Sequence, residues 1–243
     1  MTVVEKIKNK QTNIYSASPI TLAFLGDSVT QGCFELYPID PGNVDTVYDP
    51  ESAYHNRVRQ MLNLLYPRVP FTIINAGISG DRAIMAVKRL EQDVLRFNPD
   101  LTVVCFGLND AAYGADKVEE YIASLREIFT RIRENGSAVI FMTPNTMALK
   151  VNQRVWQPKV KAVIVAKSTD EERASMDLHI DRARQLCAEM NVPVCDCYAI
   201  WKQMAKAGVD TTSLLSNDIN HPTREMHYLF AYELVKMIIG GEI

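Results

Sequence analysis

A serine follows a carboxylate at the end of an apolar run near the start of the chain. The stretch is "ITLAFLGDSVTQG", residues 20–32, and it places Ser28 directly after Asp27. A serine at a turn after a buried strand is suited to attack on a carbonyl carbon, provided that a base removes its proton. Serine and aspartate are also ordinary turn and helix-capping residues, so this stretch alone does not decide between the two interpretations.

His221 is the candidate for that base. It lies in "SNDINHP", residues 216–222, where Asp218 precedes it by three residues in a polar loop. A carboxylate at that spacing can reach the imidazole Nδ1 and leave Nε2 free to accept the serine proton. The alternative is a capping loop before the last predicted helix, with a bystander histidine. The other three histidines fall within helical patterns and are interpreted as structural: His55, His179 and His227.

Two further stretches carry hydrogen-bond donors suited to the oxyanion that develops during acyl transfer. Gly80 lies in "NAGISGD", residues 75–81, where a glycine lets the backbone N–H approach a substrate closely. Asn109 of "GLND", residues 107–110, can add an uncharged side-chain donor. Each is also an ordinary turn residue. The stretches taken together favour a site for ester chemistry.

These stretches must be positioned by regular elements, and apolar runs that resemble strands precede them. Five such runs, nearly continuous in apolar residues, lie at residues 20–25, 71–76, 101–106, 138–143 and 192–197. Continuous apolar runs are typical of strands covered on both faces. Helical patterns lie between and after them, at residues 52–65, 83–96, 116–135, 170–190 and 222–239. This alternation predicts one doubly wound α/β domain with a parallel sheet, in which ligands bind beyond the carboxyl ends of the strands.

The composition indicates a globular protein and argues against several other classes. The chain has 243 residues, of which 47% are apolar and 23% charged, and a formal net charge of −3. Because no long basic cluster is present, we expect no nucleic-acid partner. No apolar run reaches the ~18–20 residues that span a bilayer, and residues 1–19 lack the apolar core of a secretory signal. We therefore expect a cytoplasmic protein without membrane association, with its five cysteines reduced. A homo-oligomer is compatible with the sequence.

The four stretches resemble the sequence blocks of a known family. "GDSVTQG", "NAGISGD", "GLND" and "DINH" stand in the order found in the SGNH hydrolase superfamily, also called GDSL-type lipases and esterases. The resemblance implies a flavodoxin-like three-layer α/β/α sandwich with a five-stranded parallel sheet. The resemblance extends from about Ile20 to the end of the chain. We predict a single domain over residues 1–243, with residues 1–19 as an N-terminal extension. The sequence departs from the family pattern at Val29, where Leu or Ile is usual.

The resemblance implies a role for each matching residue. Ser28 would be the nucleophile, His221 its base, and Asp218 the residue that orients the imidazole. The oxyanion hole would consist of the backbone N–H groups of Ser28 and Gly80 and the side-chain amide of Asn109. Enzymes of the family need no metal or organic cofactor, so none is expected here.

The substrate is indicated less sharply than the reaction. Residues 33–57 combine aromatic and acidic side chains, among them Tyr37, Tyr48, Tyr54, Asp40, Asp45 and Glu51. Aromatic rings stack on sugar faces and carboxylates bind hydroxyl groups, so we expect removal of an acetyl group from a carbohydrate. Tyr37, Tyr54 and Asp27 are the predicted substrate contacts. The alternative for Asp27 is that it caps or orients its turn. The alternative for residues 33–57 is a surface loop rich in turn residues.

Three alternatives stay open at this point. A lipase or thioesterase would need an apolar wall for a longer acyl chain, which the long segment 145–172 could supply as a lid-like insertion. The apolar side chains of that segment include Trp156, Val160, Val163, Ile164 and Val165. A non-catalytic carbohydrate-binding relic would keep the fold without the chemistry. A metal-dependent phosphoesterase would use four side chains as ligands: Asp27, Asp110, Asp218 and His221.

Overall fold

A five-stranded parallel sheet lies at the centre of the computed structural model, which describes residues 1–40, 43–155, 157–241 and 243. In chain order the strands are β1 (Ile20–Gly26), β2 (Cys33–Asp40), β3 (Asn43–Tyr48), β4 (Phe71–Gly77), β5 (Leu101–Cys105), β6 (Ala138–Met142) and β7 (Val194–Cys195). The sheet order is β4-β1-β5-β6-β7, while β2 and β3 form a separate antiparallel hairpin. The predicted parallel α/β architecture is confirmed.

Helices cover both faces of this sheet. In chain order they are α1 (Val3–Thr12), α2 (Ser28–Gln31), α3 (Tyr54–Leu65), α4 (Ala83–Asp93), α5 (Leu108–Ala111), α6 (Val118–Glu134), α7 (Pro158–Lys167), α8 (Asp170–Met190), α9 (Cys197–Lys206) and α10 (Met226–Gly240). Within the described residues, no helix is both long enough and apolar enough to cross a membrane.

Alternate side chains of the strands feed two separate apolar cores, which makes the domain a three-layer sandwich. Leu22 and Phe24 of β1 point into the core formed with α1, α3, α9 and α10. Ala23 and Leu25 of the same strand point into the core formed with α4, α6 and α8. Because β1 is covered on both faces, its sequence is apolar without alternation.

The N-terminal extension contributes to the first of these cores. Val3 and Ile7 of α1 are buried there, and the Val3 N–H donates a hydrogen bond to the Ile243 carbonyl at 3.0 Å. The helix is capped by Thr2, whose hydroxyl accepts from the Glu5 N–H while the Glu5 carboxylate accepts from the Thr2 N–H. Residues 1–19 therefore include a core helix that the sequence reasoning did not predict.

The last helix begins later than the sequence predicts. The helical pattern over residues 222–239 places Pro222 in the first turn, but α10 starts at Met226. Pro222 instead pairs with Leu215 in an isolated antiparallel bridge, and the Ser216 N–H donates to the His221 carbonyl at 2.7 Å. These bonds close residues 215–222 into a compact loop, so His221 lies in that loop and not at a helix start.

The long segment 145–172 contains α7 and is joined to the core on one side. Val160 and Ile164 are buried in the first core, whereas Val163 and Val165 are exposed. Trp156 lies outside the described residues. Two of the four described apolar side chains proposed for an acyl wall are therefore core residues.

All five cysteines are buried and free: Cys33, Cys105, Cys187, Cys195 and Cys197. The sulfur atoms of Cys195 and Cys197 lie 3.7 Å apart, well beyond the ~2.05 Å of a disulfide bond. The thiols are packed side chains of the interior.

Candidate active site

The register of the sheet brings three of the sequence blocks to one edge. Gly26, at the end of β1, lies beside Gly77 of β4 and Cys105 of β5. The turns that carry the candidate donors follow directly from these three strand ends. A Cβ atom on Gly77 would lie 2.2 Å from the Gln31 backbone nitrogen, so only glycine allows α2 to approach β4 this closely.

Ser28 is the first residue of α2, and Asp27 caps that helix. The Asp27 Oδ1 accepts a hydrogen bond from the Val29 N–H at 3.0 Å. Asp27 is only 1% exposed, and burial raises its pKa to about 7. The predicted substrate contact at Asp27 therefore does not fit its position, since the carboxyl group lies beneath the turn and holds it from inside.

Ser28 and His221 are hydrogen-bonded to each other. The Ser28 Oγ lies 3.0 Å from the His221 Nε2, and the His221 Nδ1 lies 3.0 Å from the backbone carbonyl oxygen of Phe34. A carbonyl oxygen can only accept, so Nδ1 carries the proton and donates it to Phe34. The Nε2 atom is then the acceptor that faces the serine hydroxyl, which is the tautomer that a general base requires.

Asp218 is not in the position that its spacing predicts. The single Nε–H of Arg154 is shared between the two oxygens of the Asp218 carboxylate, at 2.8 and 3.0 Å, and the Arg154 Nη2 donates to the Leu215 carbonyl at 2.7 Å. Asp218 has a left-handed backbone, with φ of 60°. The expected hydrogen bond from the His221 Nδ1 goes to the Phe34 carbonyl instead, while the Asp218 carboxylate is bound to Arg154.

A network of amide side chains fixes the loop that carries His221. The Asn217 Oδ1 accepts from three successive backbone N–H groups, those of Ile219, Asn220 and His221, at 3.0, 2.9 and 2.8 Å. The Asn145 side chain, just beyond β6, donates to the Asn220 carbonyl at 2.8 Å. Asn145 follows a predicted strand end, and that position was the one sequence signal for its role.

The candidate oxyanion donors lie on linked turns. Gly80 has φ of 77°, a backbone conformation that favours glycine. Within the described residues, the backbone N–H groups of Ser28 and Gly80 donate to no protein acceptor. The Asn109 Nδ2 donates to the Asp81 carbonyl at 2.9 Å, and its second hydrogen is left for another acceptor.

The two tyrosines predicted to contact substrate have different positions. Tyr54 is fully buried, with its hydroxyl 2.8 Å from the Thr30 hydroxyl and its backbone N–H donating to the His227 Nδ1. It is a core residue at the start of α3 and cannot touch a substrate there. Tyr37, on the β2–β3 hairpin, is 44% exposed and paired with Asp45 across the hairpin.

The remaining histidines are interior side chains. His55, His179 and His227 are buried, and burial lowers the pKa of His55 to about 4 and that of His227 to about 3. Among the residues that the structure describes, no three His, Cys, Asp or Glu side chains are grouped as metal ligands. The ligand set of the phosphoesterase alternative is therefore not assembled, since Asp218 pairs with Arg154 while His221 contacts Ser28 and Phe34.

Comparison with known proteins decides the family. A model of the GDSL-like lipase/acylhydrolase family matches residues 24–229. The chain belongs to this family. Like the other GDSL-like acylhydrolases, it is a carboxylic ester hydrolase.

Similar GDSL-like proteins include an acetylxylan esterase from Geobacillus stearothermophilus. It is 25% identical over 226 residues, covering 89% of this chain and 93% of the relative. A crystal structure of an acetylxylan esterase from the same organism superposes with a TM-score of 0.67 at 25% identity, covering 91% of this chain and 94% of that one. A two-domain esterase active on acetylated mannans has the same fold, with a TM-score of 0.69 at 19% identity over 99% of this chain and 53% of that one.

We expect Asn109→Ala to lower kcat by about 10²–10³-fold, the range for losing one oxyanion donor. KM should change less, because the contact strengthens mainly in the transition state. Steady-state kinetics on p-nitrophenyl acetate measures both. Asn63→Ala, an exposed change on α3, is the matched control. An effect on KM alone would make Asn109 a substrate-binding residue.

The kcat/KM of the enzyme should rise with pH to a plateau, and the midpoint of that rise should lie below pH 6.5. His221 must be neutral to accept a proton, and burial lowers its pKa from the ordinary 6.5. The group therefore stays deprotonated at more acidic pH than a free histidine, and its acidic limb shifts downward. The pH profile of kcat/KM gives the midpoint. A midpoint near 7 that disappears in Asp27→Asn would instead assign the limb to Asp27.

Proposed function

We propose that the protein is a serine esterase that removes acetyl groups from a carbohydrate through an acyl-enzyme. The contact that carries the proposal is the 3.0 Å hydrogen bond between the Ser28 Oγ and the His221 Nε2. Both residues are largely buried, Ser28 at 3% and His221 at 7% exposed. A preformed nucleophile–base pair suits ester hydrolysis, and the carboxyl ends of the strands are where ligands bind in parallel sheets.

In the first half-reaction the Ser28 oxygen attacks the ester carbonyl carbon while His221 Nε2 takes the hydroxyl proton. The carbonyl oxygen becomes an oxyanion, which the Ser28 and Gly80 N–H groups and the Asn109 amide receive. Collapse of this intermediate breaks the bond to the sugar oxygen, and the His221 imidazolium returns the proton to that leaving group. Water then repeats the sequence and releases acetate from Ser28.

Asp218 enters this mechanism by exchanging partners. When His221 becomes charged, a carboxylate near Nδ1 would stabilise it better than the neutral Phe34 carbonyl does. Asp218 is separated from that role by the hydrogen bonds from Arg154, whose side chain is half exposed. We propose that Asp218 leaves Arg154 and completes the triad during turnover, while Phe34 holds the correct tautomer in the free enzyme.

Two features support a hydroxylated substrate. Tyr37 and Tyr48 of the hairpin are 44% and 53% exposed, and Tyr37 lies opposite Asp45. A cavity of about 120 Å³ lies between this hairpin and the His221 loop, and its wall includes Asp218 but neither Ser28 nor His221. Its walls are mixed, with polar groups next to apolar ones, including Leu36, Arg154, Gln157, Ser216 and Asn217. Exposed rings, a carboxylate and amide groups are the chemistry that binds sugars, and acetylated polysaccharide is the substrate of the acetylxylan esterase relative.

A longer acyl chain is less well supported. The apolar cavity of about 150 Å³ is lined by Met147, Leu149 and Met176 together with the Tyr198 ring, and neither Ser28 nor His221 is among its wall residues. An acyl group bound to Ser28 would not enter it directly.

The free thiols of the interior suit a reducing compartment, which supports a cytoplasmic location.

We expect acetate release from acetylated xylo-oligosaccharides, and a preference for short acyl chains. Activity on p-nitrophenyl acetate should exceed that on the octanoate by at least roughly tenfold, about 1.4 kcal/mol of transition-state discrimination. A site that cannot bury the added methylenes gains nothing from them. Rates that increase from acetate to octanoate would replace the deacetylase proposal with a lipase.

Ser28→Ala is the control for this measurement. It should abolish deacetylation and labelling by a fluorophosphonate probe while leaving the melting temperature unchanged within a few degrees. A wild-type protein that neither reacts with the probe nor releases acetate would be a non-catalytic relic of the fold.

The exchange of partners by Asp218 has its own test. Asp218→Asn should lower kcat by roughly 10²-fold or more. The loss should be smaller than the about 10⁴-fold seen when the same change in a triad also gives the wrong histidine tautomer, because Phe34 still fixes the tautomer here. Arg154→Ala should retain wild-type kcat or exceed it, because Asp218 is released. Lys150→Ala, which removes the Lys150–Asp210 ion pair of the same segment, is the matched control. An equal loss of kcat in Asp218→Asn and Arg154→Ala would mean that the ion pair itself is needed.

A further inference from the structure

Arg89 of α4 uses all five of its N–H donors. Its Nε and Nη2 both donate to the Asp81 Oδ2, at 2.8 and 2.6 Å. Nη1 donates to the Ala76 carbonyl at 2.8 Å and to the Asp93 Oδ2 at 3.0 Å, and Nη2 also donates to the Gly26 carbonyl at 3.1 Å. A guanidinium group offers five donors in a fixed fork, so this side chain is fully paired. Only 14% of it is exposed.

Three of its partners lie in the segments that carry the backbone oxyanion donors. Gly26 ends β1, two residues before Ser28. Ala76 is the penultimate residue of β4, four residues before Gly80, and Asp81 directly follows Gly80. The Arg89 side chain therefore binds the start of the turn that carries Ser28, and it binds both ends of the turn that carries Gly80.

Asp81 extends the connection to the third donor. Its carboxylate binds Arg89, its carbonyl accepts from the Asn109 Nδ2 at 2.9 Å, and its own N–H donates to the Ile78 carbonyl at 3.1 Å. The Asp81 side chain is 5% exposed. The position of the Asn109 amide is thus tied through Asp81 to the Arg89 guanidinium.

The charge of Arg89 also matters at this place. The Asp81 carboxylate lies close enough to the buried Asp27 to act on it electrostatically, and Asp110 does so as well. A carboxylate near a developing oxyanion would oppose it. The Arg89 guanidinium compensates the charge of the Asp81 carboxylate, which directly follows Gly80.

We propose that Arg89 is the positioning residue of the oxyanion hole, and this inference rests on the function proposed above. It touches no reacting atom. It holds the Ser28, Gly80 and Asn109 donors in the geometry that the transition state needs, because rigid donors aimed at the oxyanion cost no reorganisation during the reaction. A salt bridge that merely stabilised the fold would affect the amount of folded enzyme and not the rate of each active site.

The test is Arg89→Lys, with kcat normalised to the sites that a fluorophosphonate probe titrates. Lysine keeps the charge but has three donors on one atom and cannot reproduce the fork. We expect kcat per titrated site to fall by about 10–10²-fold, since a misplacement of about 1 Å can cost about 10²-fold. KM should stay within about threefold, because ground-state binding uses these donors less.

Asp93→Asn is the matched control. It removes the charge of Asp93, the more accessible of the two carboxylate partners of the same guanidinium, and leaves the bonds to Gly26, Ala76 and Asp81. We expect its kcat to stay within about twofold of the wild type, because an ion pair that is partly open to solvent contributes little. If Asp93→Asn lowered kcat as much as Arg89→Lys, the effect would be one of helix stability, and the proposal would be overturned.

A double-mutant cycle with Asn109→Ala tests the route through Asp81. Because the two residues act on the same oxyanion, the loss in the double variant should be smaller than the product of the two single losses. Full multiplicativity, or an Arg89→Lys effect confined to KM, would overturn the proposal. If Asn109→Ala alone left kcat unchanged, the oxyanion assignment of the proposed function would fail, which is a separate outcome.

Chemical rescue covers the case in which the lysine variant folds poorly. Guanidinium ion, added to Arg89→Ala below the concentration that unfolds the protein, should restore part of kcat per titrated site and saturate. The same ion should not raise the kcat of Asn109→Ala. Equal responses of the two variants would count against a specific site for the guanidinium at Arg89.

Discussion

The parallel pairing of β1 with β4 on one side and β5 on the other is the constraint on which the rest of the site depends. It aligns Gly26, Gly77 and Cys105 at one edge of the sheet. A candidate donor follows each strand end within four residues, namely Ser28 after β1, Gly80 after β4 and Asn109 after β5. A slip of one residue in either pairing would reverse the faces of a strand and separate the turns. The relative positions of the candidate site residues therefore depend on the register of the sheet.

His221 depends on a second constraint, which comes from outside the sheet. Its loop is closed by the Leu215–Pro222 bridge and by the Asn217 side chain, and its Nδ1 is bound by a carbonyl of the hairpin. The hairpin is itself anchored beside Phe34, because the Arg224 guanidinium stacks over the Phe34 ring and binds Asp49. A neutral carbonyl sets the direction of the imidazole but offers less to a positive charge than a carboxylate does. In the structure the Phe34 carbonyl thus orients the imidazole, while the Asp218 carboxylate is bound to Arg154.

The sequence was sufficient to predict structural features that depend on residues close together in the chain. Apolar strands, amphipathic helices and the short blocks at their ends are properties of neighbouring residues, so the parallel sheet and the clustering of Ser28 with His221 could be predicted. The Phe34 contact could not, because it is made by a backbone atom 187 residues from His221 and no residue type encodes it. Arg154 and Arg89 were missed because an arginine in a loop or a helix is ordinarily a surface residue. Tyr54 was grouped with the aromatic and acidic loop over residues 33–57 although the predicted helix 52–65 already contained it, and in the structure its side chain is buried in the core.

The five buried thiols allow the opening motions of the folded protein to be followed by chemical labelling. Burial raises the pKa of Cys33 to about 11 and that of Cys187 to about 12, which keeps both thiols protonated and unreactive near neutral pH. An alkylating reagent can therefore modify them only when the surrounding structure opens. Cys33 is the first residue of the hairpin, and Cys187 is a residue of α8 that lies in the second core. The difference between their labelling rates would separate a local opening of the hairpin next to the serine from the global unfolding of the sandwich.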